Sequence, residues 1–215
     1  PDRAQIMAEL FKWPPQFHEE WNNSDGWNTV ISKYENHASQ RRAKWSRRYG
    51  KWRMTFSKEV AVAVNGITEI RYSNAADEIL DFFNARQGRA QSFYLPSWKG
   101  EFKLSTAHTA PFSSGSITLV SSATIASKLT TVVGQRGNLI HVSSDDAEGS
   151  NGDVFQITNI ASNVLTVTRV AGTNTSYAAN TLVNICYEVY FDSDELSQDN
   201  ILPILYKSGI NFIEK

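Results

Sequence analysis

Short β-prone runs separated by glycine and asparagine turns fill the middle of the chain, and this pattern constrains the fold most. The runs are rich in Val, Ile, Leu and Thr and cover 116–120, 139–142, 154–160 and 164–170. The turns between and beside them hold Gly115, Gly137, Asn151-Gly152, Asn163 and Gly172. Several short strands with such turns are typical of a small barrel or sandwich. We therefore expect a small β-barrel or β-sandwich module here.

One helix is strongly indicated further towards the N-terminus. Ser73-Asn74 offers N-caps, Gly88 follows the last helical residue, and Arg86 in the last turn complements the helix dipole. Four apolar side chains form one face of this helix, namely Ile79, Leu80, Phe82 and Phe83. We expect this face to pack on a sheet.

Composition divides the chain into three parts. Residues 1–105 are rich in aromatic and basic groups, and residues 106–184 are rich in Ser, Thr, Val, Ile, Asn and Gly. The composition of residues 185–215 resembles that of the first part. This division predicts a discontinuous domain, 1–105 together with 185–215, interrupted by an inserted module at 106–184. The predicted fold class is mainly β, a β-sandwich with one packed α-helix plus the inserted barrel-like module.

Charge and cysteine content argue against several classes of function. The 21 basic and 22 acidic residues give a net charge of −1, which argues against coating nucleic acid or an anionic membrane with the whole surface. Cys186 is the only cysteine, so no intramolecular disulfide and no cysteine-based zinc site can form. No apolar run approaches the roughly 20 residues of a membrane helix, and we expect no membrane anchor.

The sequence offers few candidate residues for catalysis or metal binding. No two of the four histidines have metal-motif spacing, and Cys186 lies in an apolar strand, as buried structural thiols do. The acidic loop at 145–153 resembles a calcium loop only faintly, since Gln156 takes the place of the closing Glu. A nucleophile motif is missing too. We expect no catalytic residues, no cofactor and no metal, and therefore not an enzyme.

Two charged segments stand out. Basic residues alternate with aromatic ones in the first, which includes Arg41, Arg42, Lys44, Trp45, Arg47, Arg48 and Trp52. It fits a nucleic-acid contact, a protein–protein interface or a strand with one solvated basic face. The second is the acidic turn, defined here as Asp192-Ser193-Asp194-Glu195. Asp192, Asp194 and Glu195 suit either a charged strand exit or intersubunit salt bridges.

Several motifs, in order, resemble the distal tail proteins of long-tailed bacteriophages, in particular the lambda minor tail protein M-like tail-tip families. They are Phe11-Lys12-Trp13-Pro14, Gln40 to Trp45, Trp52 to Phe56, Leu80 to Arg89, Phe93 to Trp98 and Phe191 to Leu196. The resemblance covers residues 10–105 and 186–206. Residues 106–184 depart from it, because some family members have no module of this length.

The resemblance implies a structural component of the virion tail tip, assembled in the host cytoplasm. Similar proteins form a homo-oligomeric ring, commonly a hexamer, that joins the tail tube protein to the baseplate hub and other tail-tip proteins. DNA would meet such a ring only in transit through its lumen. The alternative is a carbohydrate-binding adhesin, in which Phe155 and Tyr177 would be the aromatic residues of the middle module available to stack on sugars.

Overall fold

The computed structural model describes residues 9–11, 22–26, 29–33, 39–43, 49–59, 75–110, 112–121, 124–143, 152–172, 176–196, 198–202 and 205–215. Within these ranges the chain is mainly β, so the predicted class is confirmed. The first strands are β1 (Asn22–Gly26), β2 (Thr29–Lys33), β3 (Ser39–Ala43), β4 (Tyr49–Glu59), β5 (Phe93–Pro96), β6 (Phe102–Lys103) and β7 (Ser114–Thr118). The later strands are β8 (Leu139–Ser143), β9 (Gly152–Ala161), β10 (Val164–Gly172), β11 (Leu182–Phe191), β12 (Gln198–Leu202) and β13 (Leu205–Glu214). The helices are α1 (Ala75–Ala85) and α2 (Ile125–Lys128).

The chain divides into two compact units. The barrel unit comprises 1–14 and 92–189, and the helix unit comprises 15–91 and 190–215. The predicted partition, with its boundaries at 105 and 184, stays a prediction. All four strands predicted in the middle of the chain are confirmed as β7 to β10, within two residues at each end.

In the barrel unit the strands pair antiparallel in the order β6, β11, β8, β9, β10 and β7. The sheet then closes on itself, because Leu104 and Leu119 form an antiparallel bridge between the extensions of β6 and β7. Two hydrogen bonds complete this junction, from Ser105 N to Thr118 O (2.8 Å) and from Val120 N to Lys103 O (2.8 Å). The result is a six-stranded barrel without a free edge along these strands.

Alternation along the strands fills the barrel. One face of β8 and β11 places Ile140, Val142, Val183 and Ile185 in the core, as expected for a period of two. Register shifts between β9 and β10, at Thr166/Val167 and Arg169/Ala171, are bulges of the kind that bend a sheet towards closure. The short helix α2 and its C-cap add Ile125 and Leu129 to the same core.

In the helix unit, β4 pairs with β1 and β13, and β13 also pairs with β12, all antiparallel. The strands β2 and β3 form a separate hairpin. The predicted helix is confirmed as α1. It ends at Ala85, so Arg86 follows the helix rather than occupying its last turn. The Arg86 side chain is buried, and its guanidinium carbon lies 5.2 Å from the centre of the Phe82 ring.

Candidate assembly surfaces

The helix unit is built around four phenylalanine rings. Phe83 meets Phe191 edge-on at a centroid distance of 4.9 Å, and Phe82 meets the same ring at 6.2 Å. Phe191 also packs on Phe212, at 5.6 Å. Ile79, Phe82 and Phe83 are buried and Leu80 is half-buried. The apolar helix face therefore belongs to the core of this unit.

The acidic turn lies directly after this aromatic cluster and is tied to the helix unit at two points. A carboxylate oxygen of Asp192 lies 3.1 Å from the Lys51 ammonium. The backbone N–H of Arg89 donates to a carboxylate oxygen of Asp194 at 3.2 Å. Glu195 is exposed, and its N–H donates to the Ser193 hydroxyl. The turn is thus a fixed feature that carries exposed carboxylates.

The structure places only part of the basic-aromatic segment. Arg41 and Arg42 lie in β3, where the backbone is described. Trp52 lies in β4 and is 2% exposed, so this indole is part of the chain's own core. The other members of the predicted interface, Lys44, Trp45, Arg47 and Arg48, lie outside the described residues. Lys51, the residue before Trp52, forms an ion pair with Asp192 of the acidic turn inside one chain.

The outer wall of the barrel carries a buried polar cluster that the sequence did not signal. His141 on β8 is fully buried, and its Nδ1 lies 3.4 Å from the Asn184 amide nitrogen. The same amide donates to the Ser143 hydroxyl at 3.2 Å, and the Asn184 oxygen accepts from Gly100 N at 2.7 Å. The Trp98 ring lies against His141 at 5.5 Å. The loop that contains Trp98 and Gly100 is therefore fixed onto the barrel wall.

Burial decides the protonation of this histidine. Removal from water lowers the pKa of His141 to about 3, although the nearby Asp153 carboxylate acts in the opposite direction. The imidazole is therefore neutral near pH 7. With no exposed surface, this ring cannot reach a substrate, and the cluster serves to position the loop.

Three further titratable groups of the barrel unit, Asp153, Cys186 and Tyr94, are also engaged by their surroundings. Asp153 is buried, accepts a hydrogen bond from the Tyr177 hydroxyl and pairs with Arg169 at 3.7 Å. Burial raises the pKa of the Cys186 thiol, which therefore stays protonated. Burial, with help from the charge on Glu188, raises the pKa of Tyr94 to about 12. None of these groups presents an activated nucleophile or base.

Among the described residues of the barrel unit, the two most exposed large apolar side chains lie on one loop. We define the valine loop as residues 130–137, between α2 and β8. Val132 is 51% exposed and Val133 is 74% exposed. No sequence pattern used above singled out this loop. The sequence feature that could have identified this loop is a Val-Val pair inside a glycine-containing turn, where a buried strand is not expected.

The valine loop is held by a network of hydrogen bonds. Thr130 N donates to Gly137 O at 3.1 Å, and Gln135 N donates to Val132 O at 3.1 Å. At its base, the buried Asn138 amide donates to the carbonyl oxygens of Thr130 (3.2 Å) and Ile157 (2.9 Å). The Ile157 bond anchors the loop to β9 and hence to the barrel.

The described residues show neither a metal-binding group nor a membrane-spanning helix, and the two candidate sugar-stacking aromatics are buried. Among the described residues, no group of three or more His, Cys, Asp and Glu side chains is arranged to hold a metal ion. Neither described helix is long and apolar enough to cross a membrane. Phe155 and Tyr177, the two aromatics considered for sugar stacking, are 1% and 4% exposed. Their rings are therefore part of the barrel core.

Comparison with known proteins adds no family. Neither the models of known protein families nor the curated proteins give a match to this chain. The proposed function therefore rests on the sequence motifs and on the surfaces and contacts described above.

Proposed function

We propose that this chain is a structural protein of a phage tail tip, where it forms a homo-oligomeric ring, a hexamer in the families it resembles. The ring joins the tail tube protein to the baseplate hub and neighbouring tip proteins. Its place is the virion tail tip, after assembly in the host cytoplasm, and DNA meets it only in transit.

One observation carries the non-enzymatic part of this proposal. The barrel interior is filled by packed side chains, and three titratable groups on its strands, His141, Asp153 and Cys186, are buried. Enzymes need an accessible pocket with a group whose pKa matches its task. A filled barrel offers rigid outer surfaces instead, and rigid surfaces suit assembly because less conformational freedom is lost on binding.

Ring formation adds a geometric requirement. A closed ring uses head-to-tail contacts, so each subunit needs two different faces that complement each other. The exposed carboxylates of the acidic turn supply one candidate face. The order of motifs from Phe11 to Leu196, which resembles the distal tail families, supports the placement of such a ring at a tail tip.

Negative-stain electron microscopy of the concentrated protein tests the proposal. We expect annular particles of uniform diameter with a central hole, because head-to-tail contacts with a closing rotation give rings of fixed size. Featureless monomers, or filaments of variable length, would contradict a closed ring. A tail tube protein is not required for this test, since the lateral contacts lie between copies of this chain.

The adhesin alternative gains no support from the barrel. Sugar-binding sites use exposed aromatic faces, whereas Phe155 and Tyr177 are buried. A glycan array probed with the full chain distinguishes the two functions. A strong hit confined to one glycan class would favour the adhesin, and a blank array is the expected result.

A further inference from the structure

We propose that the valine loop of one copy docks on the acidic turn of a second copy, and that this contact is the lateral joint of the ring. This inference rests on the proposed function, and it names the surfaces that meet.

The first argument is the exposure of two adjacent apolar side chains. Val132 and Val133 are 51% and 74% exposed on the same loop. Adjacent exposed valines form a small apolar surface, which can be the apolar centre of a contact when polar groups surround it. Burying both removes apolar area from water, which favours association.

The second argument is rigidity. Gly137 adopts a φ of 84°, and a Cβ at this position would overlap the carbonyl oxygen of Lys128. Only glycine fits there, and this tight approach closes the base of the loop. Together with the Asn138 hydrogen bonds to β9, it holds the valine pair in one position. A preorganised loop loses little conformational freedom when it docks.

The third argument is charge. Between Glu101 and Asp145 the sequence contains no acidic residue, while Lys128 and Arg136 flank the valine pair. Lys128 is exposed, whereas Arg136 is half-buried and takes part in a contact within the chain. An apolar tip beside an exposed cation complements a surface that combines carboxylates with an apolar group.

The acidic turn supplies that combination. Asp194 and Glu195 are exposed, and Leu196, which follows them, is half-buried. The turn is held in position by the Asp192 contact with Lys51 and the Asp194 contact with Arg89. The two surfaces differ from each other, as the head-to-tail contacts of a closed ring require.

An anionic membrane is the other surface that a cationic apolar tip could meet. Membrane-inserting segments are rich in Trp, Phe and Leu, whereas this loop carries two valines between threonine and glycine. The observations therefore favour a second copy of the chain, and vesicle binding becomes an outcome of the test.

Sedimentation equilibrium of a double variant measures the contribution of the valine pair. Changing both valines to serine, V132S/V133S, should raise the dissociation constant for self-association roughly 10- to 100-fold, because two buried apolar side chains are lost. The matched control is V120S, a valine of similar exposure (46%) elsewhere in the barrel unit, which should leave self-association unchanged. Circular dichroism verifies that each variant is folded.

Disulfide trapping tests the partner directly. The only native cysteine is buried, so cross-links are expected to form only between introduced cysteines. Mixing V133C with E195C under mild oxidation should give a cross-linked dimer of the two different variants. The control mixture of V120C with E195C should give little, and a single variant alone should not reproduce the yield of the mixture.

The outcomes separate this inference from the proposed function. Wild-type protein that assembles, with V132S/V133S assembling equally well and V133C failing to trap E195C, overturns the valine loop as the joint and leaves the ring standing. Wild-type protein that never assembles overturns both. Binding of the wild-type protein, but not V132S/V133S, to vesicles of phosphatidylserine and phosphatidylcholine, without self-association, overturns the second-copy assignment in favour of a membrane.

Discussion

The two units of this protein are stabilised by different kinds of core. The barrel unit closes a six-stranded sheet around a mainly aliphatic core, which includes Ile140, Val167 and Ile185. The helix unit instead packs α1 on a cluster of aromatic rings centred on Phe191. The difference matters because hydrogen bonds around a closed barrel constrain every strand, whereas the aromatic cluster depends on a few large side chains.

Both units contain buried polar groups, and Arg86 is the example in the helix unit. In the barrel unit, Asp153, Asn184 and Nδ1 of His141 contact neighbours on adjacent strands or loops, whereas Nε2 of His141 is buried without a hydrogen-bond partner. Buried polar groups are stabilising only when their hydrogen bonds are made, so this unit should be sensitive to changes that disturb its polar contacts. The charged contact described in the helix unit, Lys51 with Asp192, is partly exposed and should matter much less.

The largest expected effects come from removing one ring from each core. We expect Phe155→Ala and Phe191→Ala each to cost about 3–5 kcal/mol of unfolding free energy, because both rings are buried and packed on other rings. Hydrogen exchange by mass spectrometry locates the damage. Phe155→Ala should lower protection in β8 to β10, and Phe191→Ala in α1 and β13. Equal loss of protection everywhere in both variants would contradict the division into two cores.

The next effect concerns the base of the valine loop. Gly137→Ala places a Cβ against the Lys128 carbonyl oxygen in a left-handed backbone conformation, and should cost about 2–3 kcal/mol in the barrel unit. Gly134→Ala at the exposed tip of the same loop, with a φ of 76°, is the matched control and should cost about 1 kcal/mol. Urea unfolding followed by circular dichroism measures both. Equal costs would mean that the close approach at Gly137 contributes nothing.

The buried histidine should give the barrel unit a pH-dependent stability. Burial lowers the folded-state pKa of His141 to about 3 from an ordinary value of 6.5, so protonation favours the unfolded chain. Stability is therefore full above pH 6.5 and falls as the pH decreases, by about 2 kcal/mol between pH 7 and pH 5. Urea unfolding of wild type and His141→Gln at both pH values checks this. The variant should lose most of the pH dependence, and the control His108→Gln should keep it.

The smallest effect belongs to the ion pair of the helix unit. A double-mutant cycle on Lys51→Ala and Asp192→Ala should give a coupling energy of about 0.2–1 kcal/mol at low salt, since both side chains are partly exposed. The coupling should shrink in 1 M NaCl because exposed charges are screened. A coupling above about 2 kcal/mol, independent of salt, would contradict the assignment as a surface pair.

Much of the fold was predictable because its signals are local. The strands from β7 to β10 follow from alternating apolar residues and glycine turns, and α1 follows from caps and a four-residue apolar face. The sequence pattern left a barrel and a sandwich open, and it did not show which strands close the barrel. The bridge between Leu104 and Leu119 depends on which distant strands become neighbours. The ring partners of Phe191 likewise are Phe82, Phe83 and Phe212, which no local pattern links to it.

The candidate surfaces were less predictable than the fold. The acidic turn stands out by composition, but its ties to Lys51 and Arg89 depend on tertiary contacts. Trp52 was predicted as an interface residue from an aromatic-basic pattern, and the structure buries it in the chain's own core. A strand pattern does not tell which face a tryptophan takes when both neighbours are polar. The valine loop depends on exposure, which only the folded chain defines.

The central claim is that this chain acts by assembling with copies of itself, and its mass in solution tests that claim most directly. Multi-angle light scattering across a concentration series of the wild-type protein is the measurement. The account predicts one discrete closed species of several subunits, about six times the 24.1 kDa chain mass for a hexamer. A mass of one chain at every concentration would contradict the account.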